Sequence, residues 1–407
     1  MRGLMRWYKF VFMAKLINLK IFTRFFHSSS AGGIILLICV AVSLLIANSS
    51  WAANFQQLLN TEFGFQSDLL HLRYPVSLWI NDGLMAIFFL LVGLEIKREI
   101  VEGELSSLRQ ASLPVLAAIG GVLVPALIYA LFNSGNEATA KGWGIPMATD
   151  IAFALGILSI LGDKVPSGLK IFLAALAIVD DLIAILVIAI FYSSDLNFIY
   201  LGLAAAVFFL LIIFNRCGVK NVFFYLIPGL FIWYFIHNSG IHATIAGVLV
   251  AMTLPTNDDD TDSPLEKLEH FLTRPVNFII MPIFAIANTN ITFESGMVEG
   301  LVSNLGFGIV LGLLLGKPIG IFTMSWLSVK LKFGELPAET DWIHVLGLGL
   351  LGGIGFTMSI FIALLSFKHP EYQNEAKFAV LAASVLAGIS GFMLLSLYNK
   401  KKQQVEG

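Results

Sequence analysis

The chain has 407 residues, 57% of them hydrophobic and only 13% charged, with a mean hydropathy of +0.84. That charged share is about half what a soluble domain carries, so an all-α polytopic membrane protein is expected. The net charge of −2 and the lack of a basic face interleaved with aromatics argue against a nucleic-acid binder, and the two cysteines, Cys39 and Cys217, lie in apolar surroundings that suit neither a disulfide framework nor a metal site.

Residues 1–30 open with "MRGLMRWYKFVFMAKLINLKIFTRFFH", basic and aromatic. This reads either as an interfacial helix on the inner leaflet or as an extension that fixes orientation. Its charges interrupt the apolar run, which argues against a cleaved signal peptide. Residues 31–400 form the transmembrane domain, with about twelve spans expected at 31–49, 76–96, 112–133, 145–161, 168–192, 199–215, 222–236, 240–254, 271–288, 305–328, 343–367 and 376–397. Several fall short of the usual ~20 residues, as interrupted or tilted helices would. Residues 401–407 are a tail. With the N-terminus inside, only Arg73, Lys141, Lys368 and Lys377 of the 25 Lys and Arg fall on outer connections, and Lys317 lies within a span. The positive-inside rule therefore places both termini in the cytoplasm. The stretch "LPTNDDDTDSPLEK" reads as a solvated cytoplasmic connection.

The intramembrane polar residues carry the function. Span 2 holds Asp82 near its outer end and Glu95 near its inner end, followed by Lys97, Arg98 and Glu99; an interfacial ion pair is the plain alternative for Glu95. Span 4 reads "GWGIPMATDIAFALG", where Pro146 breaks helical hydrogen bonding just before Thr149 and Asp150. Broken backbone at membrane depth is tolerated only where protein or a water-filled cavity satisfies it. Span 5 carries Asp180 and Asp181 in "ALAIVDDLIAILVIAIFY", and each ionised aspartate at the centre of a span costs roughly 2.5–3.5 kcal/mol on insertion scales. Adjacent helical residues point about 100° apart, so one aspartate can meet a partner while the other faces an ion. Lys317, in span 10, is the basic candidate, and a structural Asp180–Lys317 salt bridge is the plain reading. Span 11, "VLGLGLLGGIGFTMSIFIA", crowds five glycines before Thr357 and Ser359. Close helix packing through small residues would explain it. Yet spans 4 and 11 are each the middle of a triplet, 3-4-5 and 10-11-12, and paired interrupted segments mark a transporter site in inverted repeats.

Carboxylate, hydroxyl and carbonyl oxygens suit a hard cation, and an apolar surrounding favours the neutral forms of carboxylate and lysine alike. Na⁺ or Li⁺ and H⁺ would then compete for the same oxygens, as an exchanger requires. An intramembrane aspartyl protease would instead need its aspartates on two helices, one in "GxGD", whereas "AIV" precedes Asp180. A cation channel would use rings from repeated subunits. The chain is therefore read as a transporter, not an enzyme, with no cofactor.

"ATDIAFALG", "ALAIVDDL", "GIHATIAGV", "GLLLGKPIG" and "GIGFTMSIFIA" closely resemble the NhaA family of Na⁺/H⁺ antiporters, from about residue 30 to 400. That family is one of those on which the rule about interrupted helices rests. The resemblance implies twelve helices with crossed, interrupted spans 4 and 11, in a bacterial inner membrane. It implies Asp180 and Asp181 as the transport site, Asp150 and Thr149 as its support, and Lys317 as charge compensation. It associates pH control with Glu95, Arg98, Glu99, Glu269 and His270, and with His242, histidine being the side chain whose charge changes near neutral pH. Thr273 stands where the family can carry a further histidine. The stretch "EFGFQSDLLHLRYP" falls where the family places a β-hairpin that joins a homodimer.

Overall fold

The computed structural model describes residues 31–67, 71–162, 165–193, 195–256, 263–293 and 296–406. The N-terminal segment 1–30 and most of the acidic run in the 254–267 connection lie outside them. Helices dominate because a peptide group in hydrocarbon must be satisfied within its own segment. The sequence marks many of their starts. Ser107, Asn197, Ser263, Ser303 and Asp341 each accept a backbone N–H at the first turn of the helix they precede, which satisfies one of its orphan donors.

In chain order, apart from the single turn Met297–Gly300, the helices are α1 (Ala31–Ala47), α2 (Ala52–Asn60), α3 (Val76–Val101), α4 (Leu108–Asn133), α5 (Glu137–Ala140, continued by a 3₁₀ stretch Lys141–Met147), α6 (Ile151–Leu161), α7 (Ser167–Phe191), α8 (Phe198–Arg216), α9 (Phe223–Ser239), α10 (Ile245–Thr253), α11 (Pro264–Asn288), α12 (Asn304–Lys330), α13 (Trp342–Gly352), α14 (Phe356–Ser366) and α15 (Pro370–Glu406). Each expected span corresponds to helix. Among the described residues, eight helices are long and apolar enough to cross a membrane, or ten if the pairs α1–α2, bent by 109°, and α13–α14, bent by 46°, are single spans. The remaining two expected spans are short. α9 has 17 residues and α10 nine, because Gly240 (φ +85°) ends α9 and turns occupy the chain up to Thr244.

Several boundaries differ from expectation. α3 continues past residue 96 to Val101, so Lys97, Arg98 and Glu99 are helical. α11 begins at Pro264 rather than 271, started by a Ser263–Glu266 capping box. α15 begins at Pro370, which places Lys377 inside it and buried rather than in an outer connection. Three π-helical stretches interrupt α3 (Trp79–Leu84), α11 (Val276–Ile280) and α12 (Gly312–Gly316). Such stretches occur often at functional sites, and two of these hold or adjoin Asp82 and Lys317.

Between α2 and α3 the chain forms a small hairpin, with β1 (Glu62–Phe63) antiparallel to β2 (Tyr74–Pro75) and an Arg73–Glu62 ion pair at 3.1 Å. The expected hairpin is therefore present.

Small residues let α12 approach α4 closely. A Cβ at Gly320 would lie 2.0 Å from the carbonyl oxygen of Gly120, and one at Gly316 would lie 2.8 Å from Cα of Pro125. Backbone cannot yield as a side chain can. Gly320→Val is expected to destabilise the protein by at least about 1–3 kcal/mol, the usual cost of overpacking, read as a lower unfolding midpoint in detergent. Gly202→Ala, where nothing lies within 4 Å, should leave the midpoint unchanged or raise it. Equal midpoints for the wild type and Gly320→Val would show that the helices separate without penalty.

Candidate functional site: a crossing of two broken helices

The unwound stretch 148–150 meets the unwound stretch 353–355. Ala148 and Asp150 are extended, with ψ of 148° and 98°, because Pro146 and the polar pair Thr149–Asp150 end the 3₁₀ stretch. The two breaks satisfy one another. Asp150 N–H donates to the Ile354 carbonyl at 2.6 Å, and the Thr149 hydroxyl donates to the Gly352 carbonyl at 2.8 Å. Ser359 donates to the Ile145 carbonyl at 2.7 Å, and Phe356 N–H donates to Ser384 Oγ of α15 at 3.1 Å. Asp150 caps both half-helices. Its Oδ1 accepts from Phe153 N–H of α6 at 3.2 Å, and its Oδ2 accepts from Thr357 N–H of α14 at 3.2 Å and from the Thr357 hydroxyl. A carboxylate at two helix N-termini is favoured by both dipoles.

Asp180 and Asp181, both buried on α7, sit beside this crossing. Lys317 Nζ donates to Asp180 Oδ2 at 2.7 Å, and neither side chain is more than 1% exposed. The expected pairing is present. Thr149 adjoins Asp180 through both its hydroxyl and its backbone, but its hydroxyl proton goes to Gly352, and among the described residues Asp180 Oδ1 is buried without a well-formed hydrogen bond. Asp181 is 5% exposed, and among the described residues no hydrogen bond or ion pair engages its carboxylate. It lies within electrostatic reach of Asp180, Glu95, Asp150 and Lys317.

The residues associated with pH response fall into two groups near opposite ends of α3. Near one end, Arg98 Nε bridges both oxygens of Glu269 at 3.2 and 3.0 Å, and its guanidinium meets Glu99 Oε1 at 3.1 Å. Glu95, half-buried, interacts electrostatically with Glu269 and Arg98, and its field reaches Asp181. His270 is exposed next to Glu269, and Thr273 bonds back to the Glu269 carbonyl at 2.7 Å. Near the other end, His242 lies with Asp82 at 3.7 Å, roughly 20 Å along α3 from Glu95 at 1.5 Å per residue.

Sequence reasoning singled out Thr357 and Ser359 only as hydroxyls after the glycine cluster, and missed Ser384 and His237. Ser384 gave no signal. His237, whose Nδ1 is 3.1 Å from Asp82 Oδ2, ends an apolar run and could have been found as the first histidine of "IHNSGIH", five residues before His242.

Crossed broken helices that bring buried carboxylates and a buried lysine to one point define an ion-coupled secondary transporter. The comparisons with known proteins specify it. The family described as Na⁺/H⁺ antiporter 1 matches residues 23–395. The chain is 74% identical over 395 residues to the Na⁺/H⁺ antiporter NhaA 2 of Flavobacterium johnsoniae, covering 97% of each chain. It is 50% identical to NhaA 1 of the same organism, over 92% of this chain and 96% of that one. To NhaA of Salmonella paratyphi B it is 47% identical, over 91% and 97%. The chain belongs to the NhaA family of Na⁺/H⁺ antiporters.

The Asp180–Lys317 geometry carries a stability prediction. Removing one partner of a buried pair leaves a bare charge, at a cost of about 3–5 kcal/mol in soluble proteins. Lys317→Met is expected to lower the unfolding midpoint in detergent, and Asp180→Asn in the same chain to restore part of the loss. Strictly additive losses in the double variant would mean that the two side chains do not stabilise one another.

Proposed function

We propose that this protein exports Na⁺, or Li⁺, across a bacterial inner membrane in electrogenic, pH-regulated exchange for external H⁺, with both termini cytoplasmic. The observation that carries the reading is the Asp181 carboxylate, buried beside the crossing and engaged by no hydrogen bond or ion pair among the described residues. A desolvated charge of that kind has no structural reward. Asp181, Asp180 Oδ1 and the lone pairs of Thr149 form a set of hard oxygen donors suited to an alkali cation or to protons. Asp150 holds the two half-helices, and Lys317 balances Asp180.

In one half-cycle Na⁺ enters from the face that carries Glu95, Arg98, Glu99, Glu269 and His270, and displaces protons from the aspartates. In the other, external protons displace Na⁺. Exchange therefore rises from acidic toward alkaline pH, since protons must leave before Na⁺ can bind. The Glu269 cluster and His242 adjust the midpoint. The hairpin is proposed to join two protomers, and the N-terminal segment to lie on the inner leaflet.

Asp181→Asn should insert and fold but show no Na⁺-driven proton movement in proteoliposomes at any pH at which the wild type is active. Wild-type turnover in that variant would remove the proposed ion site.

Two protons entering per Na⁺ leaving would move one net charge inward per cycle, whether carried by the two aspartates or by one of them and Lys317. One charge crossing 100 mV gains about 2.3 kcal/mol, enough for roughly fortyfold uphill export. An interior-negative potential imposed on right-side-out proteoliposomes, with no pH gradient, is expected to drive Na⁺ out. Efflux indifferent to the potential would establish electroneutral exchange.

A further inference from the structure

Asp82 sits between two imidazoles. His237 Nδ1 is 3.1 Å from Oδ2 and His242 Nε2 is 3.7 Å from Oδ1, with all three side chains about 15% exposed. The His237 ring stacks on Trp233, at 5.7 Å and 16°, and meets the edge of Tyr74 at 4.9 Å. Trp233 in turn donates to the Asp82 carbonyl at 3.2 Å. His242, whose Nδ1 is 3.0 Å from Thr244 Oγ1, presents its ring edge-on to Phe361 at 5.4 Å. Phe361 belongs to α14 and also touches Phe89 of α3 at 5.5 Å. It lies four residues after Thr357, on the same face of the helix, and Thr357 is the residue that holds Asp150.

We infer that Asp82, shared between His237 and His242, is a latch that positions the half-helix α14, and that His237 is its proton-dependent partner. This rests on the exchange proposed for the crossing. The two oxygens of Asp82 serve two competing imidazoles. A charged His237 forms an ion pair with Oδ2 and ties α9 to α3. When His237 gives up its proton, the carboxylate charge falls to His242 alone, and the His242 ring is the one that rests on Phe361. A change of partner is thus passed through Phe361 to Thr357 and the Asp150 cap, one helical turn away. His237 is a positioning residue, since it touches neither the aspartates of α7 nor Lys317.

Among the described residues, the other titratable groups around the latch are few. Tyr234 lies on the same helix and accepts from His71 N–H of the hairpin at 3.4 Å; Tyr74 lies within electrostatic reach of Asp82, Tyr234 and Tyr200. Glu62 and Arg73 of the hairpin pair with each other. Arg73 is committed to Glu62, and the His71 ring meets the edge of Tyr74 at 5.2 Å rather than Asp82, so neither takes the place of His237 at the carboxylate.

The test measures Na⁺-driven proton movement in proteoliposomes, with the pH set separately on each face, for the wild type, His237→Gln and His237→Lys. Lysine keeps a fixed charge and should extend the acid-side behaviour to higher pH. Glutamine can hydrogen-bond but carries no charge and should extend the alkaline behaviour to lower pH. Midpoint shifts of about half a unit or more in opposite directions are expected, about threefold in proton affinity. The half-saturating Na⁺ concentration at alkaline pH should stay within twofold. A second readout is independent of transport. Stacking on an imidazolium quenches indole emission, so a pH-dependent change in tryptophan fluorescence should be present in the wild type and absent in both His237→Gln and Trp233→Phe. Unmoved midpoints, or a fluorescence titration that survives His237→Gln, would overturn the latch. A wild type that shows no exchange would instead overturn the reading of the crossing.

Discussion

A peptide group that reaches membrane depth without a hydrogen-bond partner costs several kcal/mol. A chain that unwinds two helices there must find partners for both breaks from within. Here each break supplies the other. The carbonyls of Gly352 and Ile354 accept hydrogen bonds from the Thr149 hydroxyl and the Asp150 N–H, and the Asp150 carboxylate accepts hydrogen bonds from the first turns of α6 and α14. Neither break could exist alone. The close approaches around it arise from the same need: glycines at 316, 320, 349 and 353 bring backbone against backbone where a side chain would hold the helices apart.

The adjacent aspartates then acquire different tasks by geometry alone. Turning by about 100° from one residue to the next, α7 directs Asp180 to Lys317 and leaves Asp181 without a hydrogen bond or ion pair among the described residues. The pair is neutral as a unit and anchors α7 to α12. The free carboxylate is the one at the crossing left without a hydrogen bond or ion pair among the described residues, and a second acidic group, Glu95, lies within its electrostatic reach on the way to the Arg98–Glu269 cluster.

Much of this was legible in the residues. Pro146 and the five glycines of span 11 marked the breaks, and the Asp180–Lys317 pair came from a lone lysine set among apolar neighbours. The closure between Asp150 and Thr357 was not legible. It joins residues 207 apart, and nothing local distinguishes that hydroxyl from others. Asp82 and His237 are 155 apart, and their contact was hidden for the same reason. Lys377 was counted with the outer connection because it stands at the edge of the expected span 376–397; the helix runs back to Pro370, which makes it an interior position. α10 was overextended because the turn at Gly240 lies inside an apolar run.

The π-helical stretch Gly312–Gly316 has a consequence for how this sequence can vary. Each π turn carries one residue more than a regular helix, so it rotates the half of α12 before it by about 100° relative to the half after it. Upstream, α12 lays Gly308 against Tyr129 and Asn133; downstream, it presents Lys317 to Asp180 and Gly320 to Gly120. A strictly regular helix of the same sequence could satisfy one set of contacts but not both. A single-codon deletion within this stretch would therefore do more than shorten a helix: it would leave the lysine in place only by turning the upstream half away from α4.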